Sequence, residues 1–219
     1  MLLQRFINSR SVPAALFVLL MLVGCAGGSP QKAAESRRGS APDMANGELL
    51  ESAVPPQVQT LYEQAAAAMA GGDYVDAELR FKEFLLQYPQ YPGAYVNLAI
   101  IHANNENNDE ARSVLDAALA LNPNHPAALN QLGMLLRKNG KFLEAEAAYL
   151  KAVTVSPDYA LAHYNLGVLN ELYLQRLDIA LQNFEAYQAL VGEDKQVAKW
   201  IADLRRRVAA TQRTANVAE

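Results

Sequence analysis

The sequence predicts an all-α fold: a right-handed solenoid of helix-turn-helix repeats closed by a C-terminal capping helix. Three observations carry this expectation. Pro89, Pro123 and Pro157 stand 34 residues apart. Ala65, Ala99, Gly133 and Gly167 keep the same step, all small, where antiparallel helices must cross closely. Between these markers apolar residues recur at helical spacing, as at Leu129, Leu132, Gly133 and Leu136, which share one helix face. No single helix pair of this kind buries all its apolar surface, so neighbouring units stack.

The chain has 219 residues, 51% of them hydrophobic and 19% charged, enough to bury a core. Its 19 Lys and Arg against 23 Asp and Glu give a net charge of -4, and the basic residues are scattered except at Arg205, Arg206 and Arg207. A nucleic-acid partner is not expected, because that would need a basic face or stripe. The single cysteine, Cys25, excludes an internal disulfide and a cysteine-based metal cluster.

Residues 1–24 read as a signal peptide. Arg5 and Arg10 precede an apolar run from Val12 to Val23, too short for a spanning helix but suited to a secretory h-region. The run ends in Leu22, Val23, Gly24 and Cys25. This ending resembles the lipobox of bacterial lipoproteins, which implies cleavage after Gly24 and lipidation of Cys25. Ala26 follows, where an aspartate in that family favours inner-membrane retention. The resemblance therefore implies an anchor in the outer membrane, facing the periplasm. Residues 25–57 are rich in Gly, Ser, Pro and Ala and read as a flexible spacer, with a brief helix around 48–54 as one option.

Four repeat units follow, at 58–91, 92–125, 126–159 and 160–191. Pro92 and Pro126 suit a first helical turn, whereas Pro89, Pro123 and Pro157 stop the second helix of a unit. Ala77, Ala111 and Ala145 each have a bulky residue four positions later, Phe81, Leu115 and Tyr149. The fourth unit resumes this pattern at Ala180 and Phe184, one residue late, so an extra residue is expected near 175–178. Gly71-Gly72 and Asn139-Gly140 supply the left-handed backbone that ends a first helix, and Asn107-Asn108 is expected to do so at greater cost. In residues 192–209, Val197, Trp200, Ile201, Leu204 and Val208 form one stripe, the signature of a cap packed on the fourth unit. Arg205 to Arg207 then read as a solvated face near the helix C-terminus, where positive charge is favoured. Residues 210–219 are expected to be a disordered tail.

A 34-residue period with Leu-Gly, then Ala-x3-Tyr or Phe, then Pro resembles the tetratricopeptide repeat. The unit carrying Leu132, Gly133, Leu136, Ala145, Tyr149, Ala152 and Pro157 matches it best; the first unit departs most, with Gln64 and Phe84 at two of its apolar or small positions. The resemblance implies that the first helix of each pair lines a concave groove. Asn97, Gln131 and Asn165 are 34 residues apart on the side opposite each pair's seam, so they are expected to form an amide ladder in that groove. Amides both donate and accept, which suits them to a peptide backbone; the alternative is that they solvate a helix face. Val96, Ile100, Met134, Tyr164 and Val168 add apolar contact, and Arg137 and Lys138 add positive charge. A partner segment with apolar residues and an acidic one would fit. Some chaperone cofactors of this family clamp a terminal carboxylate with cations from successive first helices; Ala127 and Gln131 stand at two such places here, which argues against that mode.

No chemistry-bearing motif appears. His102, His125 and His163 lack metal-ligand spacing, and no nucleophile elbow, phosphate loop or dinucleotide fingerprint is present. The expected function is a non-enzymatic scaffold without cofactors or metal, binding a protein or peptide partner in the cell envelope. In outline it resembles the tetratricopeptide lipoproteins of Gram-negative bacteria that serve pilus assembly, secretion, gliding or TonB-type machines, and residues 197–207 are similar to the last group. The alternative is a homo-oligomer whose groove receives a segment of another copy.

Overall fold

A computed structural model describes residues 55–217, and among these every regular element is α-helical. The elements are α1 (Pro56–Ala70), α2 (Tyr74–Gln87), α3 (Pro92–Asn104), α4 (Asn108–Leu121), α5 (Pro126–Lys138), α6 (Phe142–Val155), α7 (Ala160–Leu172), α8 (Leu177–Val191) and α9 (Lys195–Val217). All lie within the compact unit Ser40–Glu219. Each helix packs on the one before it, and the first helices of successive units also touch, α3 on α5 and α5 on α7. The lipobox residues Leu22, Val23, Gly24 and Cys25, the signal peptide and most of the spacer lie outside the described residues. Within the described residues no helix is long and apolar enough to cross a membrane.

The repeat follows from a small residue facing a large one. Ala65 and Phe81 share one core cluster, and Ala99 and Leu115 share the next. In the third and fourth units the small partner must be glycine. A Cβ on Gly133 would stand 2.5 Å from the ring of Tyr149, and one on Gly167 would stand 2.7 Å from the ring of Phe184. All four large side chains are fully buried. Pro92 and Pro126 open α3 and α5 as expected. Pro89, Pro123 and Pro157 each follow the end of a second helix by two residues.

The turns inside the units correct one expectation. The left-handed residue is Gly72 (φ 82°), Glu106 (φ 63°), Gly140 (φ 75°) and Gln175 (φ 57°). In the second unit Asn107 instead has φ -79°, so Glu106 carries the strain rather than the Asn107-Asn108 pair. The reason is register: the next amide must reach back five residues to close the helix end. It does so from Asp73 to Ala68 (3.0 Å), Asn107 to His102 (2.9 Å) and Lys141 to Leu136 (2.9 Å). In the fourth unit Arg176 reaches back six, to the carbonyl of Asn170 at 2.8 Å. The extra residue is therefore absorbed between Asn170 and Arg176, slightly before its expected place.

Three boundaries also move. The helix α1 begins at Pro56, inside the expected spacer, because proline without an N–H is suited to a first helical position. The cap α9 begins at Lys195, where Asp194 accepts from the amides of Gln196 (2.9 Å) and Val197 (3.1 Å). It runs to Val217 through most of the expected disordered tail, because 209–217 contains Ala, Gln and Arg and no Gly or Pro. Val197, Ile201 and Leu204 are buried against α8, and Trp200 packs on Phe184 at 5.5 Å between centroids. The arginine triplet lies in the middle of α9 rather than at its C-terminus, with Arg205 and Arg206 exposed as expected and Arg207 half-buried. Arg205 bonds Glu185 at 2.7 Å, Arg206 bonds Asp203 at 2.8 Å and Arg207 bonds Glu171 at 2.7 Å, so two of the three tie the cap to α8 and α7.

Candidate peptide-binding cleft

The first helices α3, α5 and α7 border a cleft of about 520 Å³. Its wall repeats on the 34-residue step. Ile100, Met134 and Val168 make one apolar row, and Asn104, Lys138 and Leu172 make a second at the C-terminal ends of the same helices. Gln131 and Arg137 stand between them, and Tyr173 closes one side. Met134 (37% exposed), Tyr173 (44%) and Leu172 (60%) present apolar surface that no other element covers.

Two cations and no carboxylate line the cleft. The Lys138 ammonium lies 3.4 Å from the carbonyl oxygen of Ala103, bridging α5 to α3. The Arg137 guanidinium sits 5.9 Å from the centre of the Tyr173 ring, a cation–π contact that leaves its positive charge uncancelled. Tyr173 is held in turn by the ring of Phe142, 4.7 Å away. Beneath Arg137 the buried hydroxyl of Tyr149 is pushed up to about 12, chiefly by burial, with the guanidinium pulling the other way. The lining holds no Ser, Cys, His, Asp or Glu, and no group of residues among those described could hold a metal ion.

Of the predicted groove residues, Ile100, Gln131, Met134, Arg137, Lys138 and Val168 line this cleft. The other four do not. Asn97 is fully buried and donates to the hydroxyl of Tyr62 at 2.9 Å; Asn165 is 6% exposed and donates to Oδ1 of Asn130 at 2.9 Å. Both are internal ties between successive first helices, each 35 residues from its partner. Val96 is buried as well, at 1% exposure. Tyr164 packs under the cap, against Tyr187 (5.3 Å) and Trp200 (6.1 Å). The amide ladder is thus replaced by a different arrangement. Neighbouring first helices cover positions 97 and 165, and the cleft is lined instead from the C-terminal halves of α3, α5 and α7.

Gln131 differs for a local reason. The residue that would face it from the preceding unit is Val96, which offers no hydrogen bond, where Tyr62 and Asn130 serve the other two amides. Its amide is left for the cleft. Asn104, Leu172 and Tyr173 were not among the predicted contacts. The period itself points to the first two, since they stand 34 residues before and after Lys138. Tyr173 has no such signal, because it enters through the widened fourth turn.

Two family models match the chain: a tetratricopeptide repeat model over residues 68–135 and a second TPR repeat model over residues 133–172. The photosystem I assembly protein Ycf3 of Rippkaea orientalis is 33% identical over 101 residues, covering 42% of this chain and 58% of that protein. Human protein O-mannosyl-transferase TMTC2 is 44% identical over 62 residues, covering 28% of this chain and 7% of the transferase. The chain thus spans less than two thirds of the length of either relative. Among solved structures, Pseudomonas aeruginosa pilF superposes with a TM-score of 0.63 at 23% identity, over 72% of this chain and 73% of that one, a likeness of fold. Residues 68–172 therefore match tetratricopeptide repeat models, and the described residues fold as an all-α helical repeat array.

Proposed function

We propose that this chain is a non-catalytic scaffold that holds a protein segment in the α3–α5–α7 cleft. The observation that carries the proposal is the cleft's makeup: apolar rows at Ile100, Met134, Val168 and Leu172, half-buried at Ile100 and Val168 and exposed at Met134 and Leu172, with Arg137 and Lys138 beside them and no acid in the lining. A segment presenting two or three apolar side chains and a carboxylate complements it, with Gln131 available to its backbone. Ycf3 is by name an assembly protein, which accords with a scaffold. The lipobox-like ending at Cys25 supports tethering to the periplasmic face of an outer membrane, within an envelope assembly such as a pilus, secretion or TonB-type machine.

A photo-crosslinking residue placed at Met134 in cells tests the cleft, with the same residue at Val75, exposed on α2 outside the lining, as control. Adducts are expected at position 134 and not at 75. They should disappear in the double variant Arg137→Glu, Lys138→Glu, whose helical circular dichroism is expected to be intact. Adducts that survive charge reversal would sink the proposal. Replacement of Cys25 by Ser should release the chain from the membrane fraction, and its retention there would exclude the lipid tether.

A further inference from the structure

The capping helix carries a second surface, unrelated to the cleft. Within α9, Lys195, Lys199, Arg205, Arg206, Arg207 and Arg213 oppose one acid, Asp203, in a chain of net charge -4. Arg205 and Arg207 are committed to Glu185 and Glu171. The remaining four have a common direction. At 100° per residue Lys195, Lys199, Arg206 and Arg213 fall within about 40° of one another, in a line about 27 Å long. The buried stripe of Val197, Ile201 and Leu204 lies on the opposite side, so this ridge points straight out from the end of the array.

All four cations are exposed, and the ridge between them is low, formed by Ala202 and Ala209. Arg206 is 79% exposed and its partner Asp203 sits on the flank of the same helix, an i,i+3 pair that contributes little in water. A shallow depression at Ala209 and Ala210 is framed by Arg205, Arg206 and Arg213. The ridge has no large apolar or aromatic side chain to serve as an anchor for a protein interface, since Trp200, the only tryptophan, faces the fourth unit. What fits is a flat, repeating field of negative charge that meets four collinear cations together. We infer that this ridge is a contact surface for an anionic lipid bilayer, through headgroup phosphates.

Full-length chain carrying Cys25→Ser is mixed with vesicles of phosphatidylcholine, with or without phosphatidylglycerol, and bound protein is measured by co-sedimentation. The apolar run at 12–23, with Arg5 and Arg10 before it, gives a background common to every variant, so the ridge is read from the differences between variants. In low salt the partition coefficient onto anionic vesicles is expected to exceed that onto neutral ones by about a hundredfold or more, several-fold from each of four cations roughly additively. The excess should vanish at about 0.5 M salt, where the screening length is only a few ångströms. It should fall to the common background in the variant Lys195→Gln, Lys199→Gln, Arg206→Gln, Arg213→Gln, and persist in the charge-keeping variant Arg206→Lys, Arg213→Lys. Single replacements at the two ends, Lys195→Gln and Arg213→Gln, should each weaken it several-fold, and they decide the matter should the fourfold variant fail to fold. Undiminished binding of folded charge variants overturns the assignment. So does a ridge that takes up poly-glutamate while phosphatidylglycerol vesicles are ignored.

Discussion

Glu106 shows how a single residue bears the cost of a periodic backbone. Its φ of 63° is the value that Gly72 and Gly140 adopt freely at the equivalent places, and a side chain there meets the following carbonyl. The side chain is exposed and makes no compensating ion pair or side-chain hydrogen bond among the described residues, so Glu106→Gly should stabilise the chain by about 1 kcal/mol. Urea unfolding followed at 222 nm would show a raised midpoint with an unchanged slope; a lowered midpoint would refute the strain. The period was visible in the sequence, but the residue was misplaced by one, because Asn-Asn is the commoner left-handed choice and register outweighs that preference. The amides fared similarly. Their 34-residue spacing was legible at Asn97 and Asn165, whereas their burial against the preceding first helix instead of in the groove was not. It depends on how closely neighbouring units approach, which is set by Tyr62 and Asn130 one repeat earlier.

Among the elements, α9 does the most with the least repeat character. It seals the fourth unit through Val197, Ile201 and Leu204, stacks Trp200 on Phe184 and Tyr164, and is pinned by Arg207 to Glu171 on α7. That last helix is also a wall of the cleft through Val168 and Leu172. In a repeat array stability is a sum of unit and nearest-neighbour contributions, so loss at one end stays near that end. Trp200→Ala is therefore expected to cost about 3 kcal/mol, the lower part of the range for a large aromatic because the side chain is only half-buried. Hydrogen exchange should show amides of α7, α8 and α9 losing protection while α1 to α4 keep theirs; uniform loss along the chain would contradict the local scheme. The cap was legible as an apolar stripe of period 3.6. Its true length was not, since Ala, Gln and Arg favour a helix without announcing one, and neither were the ties of its arginines, which depend on where α7 and α8 come to lie.

Across the whole array, buried tyrosines couple stability to pH. Tyr62, Tyr149 and Tyr159, in separate packing clusters, are each pushed up to about 12 by burial. In the unfolded chain a tyrosine ionises near 10, so between these values the unfolded state has lost protons that the folded state still holds. A folded-state value raised in this way gives stability that is complete below about pH 10 and is lost as pH rises toward 12. With three such groups the slope reaches at most about 4 kcal/mol per pH unit near pH 11, enough to unfold a marginally stable domain within one or two units. Tyr62→Phe and Tyr159→Phe together should flatten that slope to about a third. Tyr62→Phe also removes the acceptor for Asn97, so the double variant should begin less stable at pH 8 and lose less on the way to pH 11. Urea midpoints measured at intervals between these pH values give both quantities. A slope unchanged by the two replacements would place the alkaline transition on other groups.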